Sequence, residues 1–221
     1  MEGKKASKVK KVKMENVTIM LTILSIIILI FSVIIHEISH GFMADYLGDP
    51  TARLQGRLTL NPLKHIDPVG SIIVPLITSM AGFTFGWAKP VNYNPYNLKD
   101  RRKGEFLIAI AGPLSNLGLA LVFGILIRVF MTGATAVTPF VEFASYIVII
   151  NIVLAVFNLV PIPPLDGSKL LLAFLPNQYG RARQMFEMYG PIFALIFIIF
   201  VWQLMSPIVP FIFSLITGVG M

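Results

Sequence analysis

The chain has 221 residues, of which 56% are hydrophobic and 13% are charged, about half of the roughly 25% charged residues usual in globular domains. This composition excludes an ordinary soluble domain and predicts a polytopic membrane protein. The net charge of +7 is concentrated in the N-terminal segment and a few loops, where it suits the headgroups of a lipid bilayer. No basic and aromatic pattern indicates a nucleic-acid partner.

Residues 1–13 contain six lysines and precede a long apolar run. We predict that residues 1–13 form a disordered basic tail and that residues 14–221 form a single membrane-embedded domain. A secretory signal peptide is not indicated, because the apolar run is too long and no small-residue cleavage site is evident.

The first apolar run, residues 17–35, carries no charge, and a spanning helix needs about 20 mostly apolar residues. The sequence His36-Glu37-Ile38-Ser39-His40 follows this run directly. We predict a helix from about residue 17 to residue 46, because Gly48-Asp49-Pro50 is typical of a helix end. An ionisable group at membrane depth costs roughly 2.5 kcal/mol or more, which makes this sequence a candidate functional site.

The polar residues 51–68 show a weak alternation of apolar side chains between residues 53 and 60. This pattern predicts a small extended or β element followed by a turn. Residues 69–83 are apolar but few for a full crossing, so we predict a re-entrant segment there. The segment 86–96 contains two prolines, and irregular backbone of this kind must face protein or a water-filled cavity.

Three further apolar runs cover residues 106–127, 143–160 and 191–219. Prolines break the chain after the second of these runs, just before Leu165-Asp166-Gly167. The predicted fold is therefore an all-α polytopic membrane protein with about five or six membrane segments. The small extended element and the re-entrant segment follow its first helix.

A metal site can be built only from nitrogen and oxygen ligands, because the chain contains no cysteine. His36 and His40 are spaced i, i+4, so on a helix both rings lie on one face and can bind one ion. Glu37 between them completes the arrangement of zinc hydrolases, in which the glutamate takes a proton from the attacking water. A catalytic zinc usually has three protein ligands. Asp166 is the best candidate for the third, because it follows a proline-broken segment in an apolar region.

These residues also have simpler interpretations. His36, Glu37 and His40 can form a polar cluster that joins helices by hydrogen bonds. Asp166 can cap the short helix that follows it, since aspartate favours this position. His65 lies in a polar segment, where a turn or surface role is expected.

Three motifs, HEISHG, AGPLSN and NLVPIPPLDG, occur in this order and resemble the site-2 protease family of intramembrane zinc metalloproteases. The strings GDPTARLQGRLTLNPLKHIDPVG and FGWAKPVNYNP resemble its short prokaryotic branch, which has no PDZ or CBS domain. The resemblance covers roughly residues 30–175. It implies an enzyme that hydrolyses peptide bonds in the transmembrane segments of other membrane proteins.

The resemblance also implies one zinc ion per chain. It implies Glu37 as the catalytic base and His36, His40 and Asp166 as the zinc ligands. Asn116 and Asn158 fall on motif positions, and we assign them to substrate or oxyanion contacts. Interhelical hydrogen bonding is the alternative for both asparagines. The implied partners are a transmembrane protein substrate and the lipid bilayer, and the oligomeric state stays open.

The distribution of charge conflicts with this site. The positive-inside rule places the lysine-rich tail and the basic cluster 99–103 in the cytoplasm. If residues 69–83 crossed fully, His36, about 29 Å along the first helix, would lie at the face opposite Asp166, and one zinc ion could not bind both. We therefore expect the tail outside, 69–83 re-entrant or in a hairpin, and the active site toward the cytoplasmic side of a prokaryotic plasma membrane.

Two other functions use the same residues. A non-catalytic membrane scaffold that kept the zinc site would tolerate the loss of Glu37. A metal or proton transporter would use the polar groups as an ion path. Hydrolysis explains more simply why a glutamate lies between the two histidines.

Overall fold

The computed structural model describes residues 2–74, 76–77, 88–131, 138–174, 180–201, 203 and 207–220. The α-helices in these ranges are α1 (Glu2–Tyr46), α2 (Thr51–Leu54), α3 (Arg101–Met131), α4 (Pro139–Asn158), α5 (Asp166–Phe174), α6 (Gly180–Ile196) and α7 (Ile208–Thr217). Shorter turns are the 3-10 helices Pro62–Lys64 and Pro95–Asn97 and the π-helical segments Pro68–Ile73 and Phe197–Val201. These ranges contain no strand, which confirms the all-α class.

Three helices within the described ranges are long and apolar enough to cross a membrane: Ile19–Tyr46 of α1, together with α3 and α4. The apolar α7 is shorter, with 10 residues. These three helices confirm the prediction of a membrane protein. The number of five or six segments stays a prediction, and so does the re-entrant segment 69–83, part of which lies outside the described residues.

The predicted tail of residues 1–13 falls within α1, which begins at Glu2. Side chains of α1 are described from Ile19 onward. The division of the chain into a basic tail and one domain from residue 14 to residue 221 stays a prediction.

The extended or β element expected after the first helix is wrong, since residues 51–54 form α2. The Asp49 carboxylate accepts hydrogen bonds from the main-chain N–H and the hydroxyl of Thr51. This local turn begins the helix, as aspartate side chains commonly do. A weak alternation over a few residues does not outweigh it. Residues 88–94 have no regular secondary structure, and Asn94 at their end has extended backbone.

The antiparallel pair α1 and α3 forms the centre of the bundle. His40 bonds to the carbonyl of Ile108, and Ser32, two turns earlier in α1, meets Asn116 two turns later in α3. Ala44, Leu98 and Ile108 pack in one buried cluster. The end of α1 and the start of α3 therefore lie at the same end of the bundle, which we call the site end.

The opposite half of the bundle is an apolar core between α3, α4 and α7. Its buried side chains are Ala120, Ile127, Val141, Ala144, Val148, Ile152, Val209 and Phe213. Gly124 of α3 makes the approach of α7 possible, since a Cβ there would lie 2.2 Å from Cγ2 of Ile216. Such close packing is what holds helices together in lipid, where hydrophobic burial gives no advantage.

Asp49 ties the end of α1 to the segment of residues 88–94, which we call the strap. Its side chain is fully buried. Oδ2 accepts the main-chain N–H of Asn94 at 2.6 Å, and Oδ1 accepts the side-chain N–H of Asn97 at 2.7 Å. Since a buried carboxylate is costly without such donors, Asp49 fixes where the strap leaves the bundle.

Burial alone raises the pKa of the Asp49 carboxyl, but hydrogen bonds from Thr51, Asn94 and Asn97 outweigh it and hold this pKa below its ordinary value of 3.8. A carboxyl with a lowered pKa in the folded state stabilises the fold above its unfolded pKa. This stabilisation is lost as the pH falls through the lowered value.

We therefore expect the melting temperature of the wild-type protein in detergent to exceed that of Asp49→Asn by a constant margin from pH 7 to about pH 5. The margin should shrink below about pH 4, since asparagine does not titrate. Thermal unfolding of both proteins across this range measures it. A margin that grows on acidification would contradict the assignment.

Candidate metal centre and active site

Two histidines of α1 and the first residue of α5 meet at the site end of the bundle. Nε2 of His36 lies 2.9 Å and Nε2 of His40 lies 3.1 Å from Oδ2 of Asp166. The two Nε2 atoms are 3.0 Å apart. All three side chains are buried, and we call them the ligand cluster. Ligand atoms that are each about 2 Å from one zinc ion lie no more than about 4 Å from one another, so these separations fit a shared ion.

The other nitrogen of each ring decides which atoms face the centre of the cluster. Nδ1 of His36 lies 2.6 Å from Oδ1 of Asn116, and Nδ1 of His40 lies 2.6 Å from the carbonyl oxygen of Ile108. Both oxygens are acceptors, so each Nδ1 carries the proton and each Nε2 presents a lone pair. Two lone pairs and a carboxylate oxygen turned toward one another form a donor set that a divalent cation stabilises.

A buried network of amides holds Asn116 in place behind His36. Its Nδ2 donates to Oδ1 of Asn151 at 2.8 Å, and Asn151 donates to the hydroxyl of Ser32 at 2.9 Å. Asn116 and Asn151 are fully buried. The network joins α1, α3 and α4 and orients one ligand, a task that outer hydrogen-bond partners commonly have at metal sites.

The turn between α4 and α5 brings Asp166 to the histidines. Prolines 161, 163 and 164 prevent α4 from continuing, and Leu165 packs in a buried cluster with Val160 and Phe197. Gly167 allows this turn to fold back closely, because a Cβ there would lie 2.2 Å from the carbonyl oxygen of Leu159. Asp166 thus enters the bundle from the first turn of α5.

Lys169 binds the second oxygen of the Asp166 carboxylate. Its Nζ lies 3.2 Å from Oδ1, so one oxygen of Asp166 faces the histidines and the other faces a cation. Lys169 is not among the site residues that the sequence predicts. Its spacing of three residues from Asp166, which places both on one helix face, was the available signal.

Gly112 of α3, within the AGPLSN motif, is the backbone surface against which the histidines pack. A Cβ at this position would lie 2.5 Å from Nε2 of His40 and 2.6 Å from Nε2 of His36. The rings cannot move aside without breaking their Nδ1 hydrogen bonds. Small residues of this kind permit close helix contact, and here the contact is with the ligand cluster.

Glu37 is half-buried, and its Oε2 accepts the main-chain N–H of Val91 at 2.9 Å. Asn158 is half-buried near the end of α4 and donates to the carbonyl of Leu154, one turn earlier. Its role in substrate or oxyanion contact stays a prediction.

His65 lies in the turn that ends the 3-10 helix Pro62–Lys64, as the turn alternative predicted, but only 2% of its surface is exposed, so it is not a surface residue. Its Nε2 lies 2.9 Å from the carbonyl oxygen of Thr59, which ties down the loop after α2. Its burial depends on long-range packing, for which the local sequence has no signal.

Proteins named as zinc metalloproteases are similar to this chain in sequence. Peptidase family M50 matches residues 125–204, a range that includes Asp166 and Asn158. YwhC of Bacillus subtilis, whose name describes a zinc metalloprotease, is 38% identical over 188 residues, which are 83% of this chain and 80% of YwhC. The chain belongs to peptidase family M50.

Other relatives agree with this membership. Rip2 of Mycolicibacterium smegmatis, also named for a zinc metalloprotease, is 33% identical over 77% of this chain and 64% of its own length. The zinc metalloprotease MJ0392 of Methanocaldococcus jannaschii is 26% identical over 79% of this chain and 41% of its own length. No solved structure matches the chain. The expected site-2 protease family is confirmed, and with it the expectation of a membrane zinc protease.

We expect Gly112→Ala to lower the zinc affinity of this M50 peptidase by at least about tenfold, the lower range for disturbed ligand orientation. The added methyl group would displace both imidazoles. Zinc content after equilibration in zinc buffers measures the change. Gly118→Ala is the matched control in α3, since a Cβ there meets nothing within 4 Å. Equal zinc affinity in the two variants would contradict the role of Gly112.

Proposed function

We propose that this M50 peptidase hydrolyses peptide bonds within transmembrane segments of other membrane proteins, with one zinc ion held by His36, His40 and Asp166. The observation that carries this proposal is the ligand cluster, which is buried among helices long and apolar enough to cross a membrane. Glu37 adjoins the cluster on the same helix. Zinc bound there would polarise a peptide carbonyl and acidify water.

In this mechanism Glu37 is the catalytic base. It takes a proton from the attacking water and later passes it to the leaving amine. Asp166 and the two neutral imidazoles hold the ion, while the Lys169 ammonium compensates the carboxylate charge in an apolar setting. A substrate helix must open locally at the site, because its own hydrogen bonds shield its amides.

The two asparagines have different roles in this proposal. Asn116 acts by holding the Nδ1 proton of His36, which its distance of 2.6 Å and its full burial support. This role replaces the substrate contact that we expected for it. Asn158, whose side chain is half-buried, keeps the assignment to a substrate or oxyanion contact.

We expect Glu37→Gln to lower kcat on a labelled transmembrane peptide by about 10²–10⁴-fold, the usual contribution of a general base, while zinc content stays at the wild-type level. Cleavage by the wild-type protein should be abolished by a chelator. The matched control is Glu142→Gln, which changes an exposed glutamate at the start of α4.

The outcomes separate the competing functions. Undiminished cleavage by Glu37→Gln would remove this residue as the base. Absence of zinc from the wild-type protein after zinc is supplied would contradict the ligand assignment. A scaffold predicts that Glu37→Gln retains the biological role, and a transporter predicts ion flux in liposomes.

We further propose that the site end faces the cytoplasm of a prokaryotic plasma membrane and that the segment between α1 and α3 begins and ends at this end. The packing of Ala44 against Leu98 supports the second statement. The basic cluster Lys99, Arg101, Arg102 and Lys103 supports the first, because such clusters near membrane helices favour the cytoplasm.

Because the chain has no cysteine, single cysteines can report this orientation without background. Lys99→Cys lies at the site end. Gly220→Cys lies at the other end, beyond α7, where the Arg128 side chain donates to the carbonyl of Leu215. A membrane-impermeant maleimide added to intact cells should label Gly220→Cys and should label Lys99→Cys only after permeabilisation. The reverse pattern would overturn the proposed orientation.

A further inference from the structure

The strap, residues 88–94, crosses the catalytic glutamate and is held on both sides of it. The N–H of Lys89 donates to the carbonyl of His65 at 2.8 Å, and the N–H of Asn94 donates to Asp49 at 2.6 Å. Between these two bonds, the N–H of Val91 donates to Oε2 of Glu37 at 2.9 Å.

Both anchors of the strap are themselves fixed. Asp49 is fully buried, and its N–H donates to the carbonyl of Ala44 in the last turn of α1 at 2.9 Å. His65 is buried, ends the 3-10 helix Pro62–Lys64, and bonds through its ring to the carbonyl of Thr59. Both ends of the strap are therefore bonded to buried residues.

The side chain of Val91 sets how closely the strap approaches α1. It is 7% exposed and packs against Gly41, one helical turn after Glu37. A Cβ at Gly41 would lie 2.9 Å from Cγ1 of Val91 and 2.6 Å from Cδ2 of Leu58. A glycine at this position lets the main chain of the strap come within hydrogen-bond distance of the glutamate.

A glutamate side chain has several rotatable bonds, whereas a general base must be held within hydrogen-bond reach of the proton that it removes. A main-chain N–H that donates to a carboxylate is a strong, charge-assisted restraint. We propose that Val91 is a positioning residue, whose N–H holds Oε2 of Glu37 so that Oε1 is presented to the attacking water. This inference rests on the proposed role of Glu37 as the base.

Two sequence strings contribute no ligand to the metal site but supply this contact with Glu37. GDPTARLQGRLTLNPLKHIDPVG contains Asp49, Leu58 and His65, and FGWAKPVNYNP contains Val91 and Asn94. Together they form the strap, its anchors and its contact with α1. Their function is to fix the base, while HEISHG and NLVPIPPLDG contain the ligands and AGPLSN packs against and orients them.

Val91→Pro removes the N–H, whereas Val91→Ala keeps the N–H and shortens the side chain. We expect Val91→Pro to lower kcat on a labelled transmembrane peptide by about 10–100-fold, the order of effect of a misplaced catalytic group. KM and zinc content should stay near the wild-type values. Val91→Ala should stay within about threefold of the wild-type kcat.

Equal kcat for Val91→Pro and Val91→Ala, whether high or low, would overturn the proposal. Gly41→Ala provides a second test if Val91→Pro does not fold. This variant keeps every N–H but pushes Val91 away from α1, so kcat should fall while zinc content is retained. An unchanged kcat in Gly41→Ala would also overturn the proposal.

Thermal unfolding tests the contact without activity. If Val91 holds Glu37, the effect of Val91→Pro on the melting temperature should be smaller in a Glu37→Ala background than in the wild type. Additive effects would contradict the contact. If the wild-type protein binds zinc but cleaves no membrane peptide, the proposed function fails. The double-mutant cycle of melting temperatures still decides whether the strap holds Glu37.

Discussion

The convergence of three electron-rich atoms in an apolar bundle is the constraint on which the rest of the structure depends. Nε2 of His36 and His40 and Oδ2 of Asp166 lie 2.9–3.1 Å apart. Each Nδ1 must therefore carry a proton and find an acceptor. The backbone facing the rings must be glycine, which Gly112 provides, and the chain after α4 must break to bring in a carboxylate.

Several polar groups near this centre join helices and orient a ligand at the same time. Asn116 connects α1, α3 and α4 while it holds the ring of His36. The backbone of α3 does the same for His40 through the carbonyl of Ile108. Because unpaired polar groups are costly away from water, fold stability and site geometry depend on the same hydrogen bonds. The strap extends this arrangement to Glu37 with main-chain groups alone.

Much of the secondary structure follows from local sequence. The end of α1 at Tyr46 and the break after Asn158 agree with the glycine and proline signals. The predicted β element failed because a weak alternation competed with an Asp49 turn that starts a helix. Asn151 was visible only as a polar residue in an apolar run. Its place behind Asn116 depends on how α4 is rotated against α1 and α3, which no local pattern encodes.

The sequence by itself determined the chemistry of this protein. The spacing of His36, Glu37 and His40, an aspartate after a proline-broken helix, and the lack of cysteine specify a metal site of nitrogen and oxygen donors in a membrane chain. Only the tertiary structure decided how these groups are held: Gly112 against the rings, Lys169 on the second oxygen of Asp166, and the Val91 N–H on Glu37. The physical reason is that residue type and spacing set which atoms can bind or transfer a proton. Orientation depends on contacts between segments far apart in the chain.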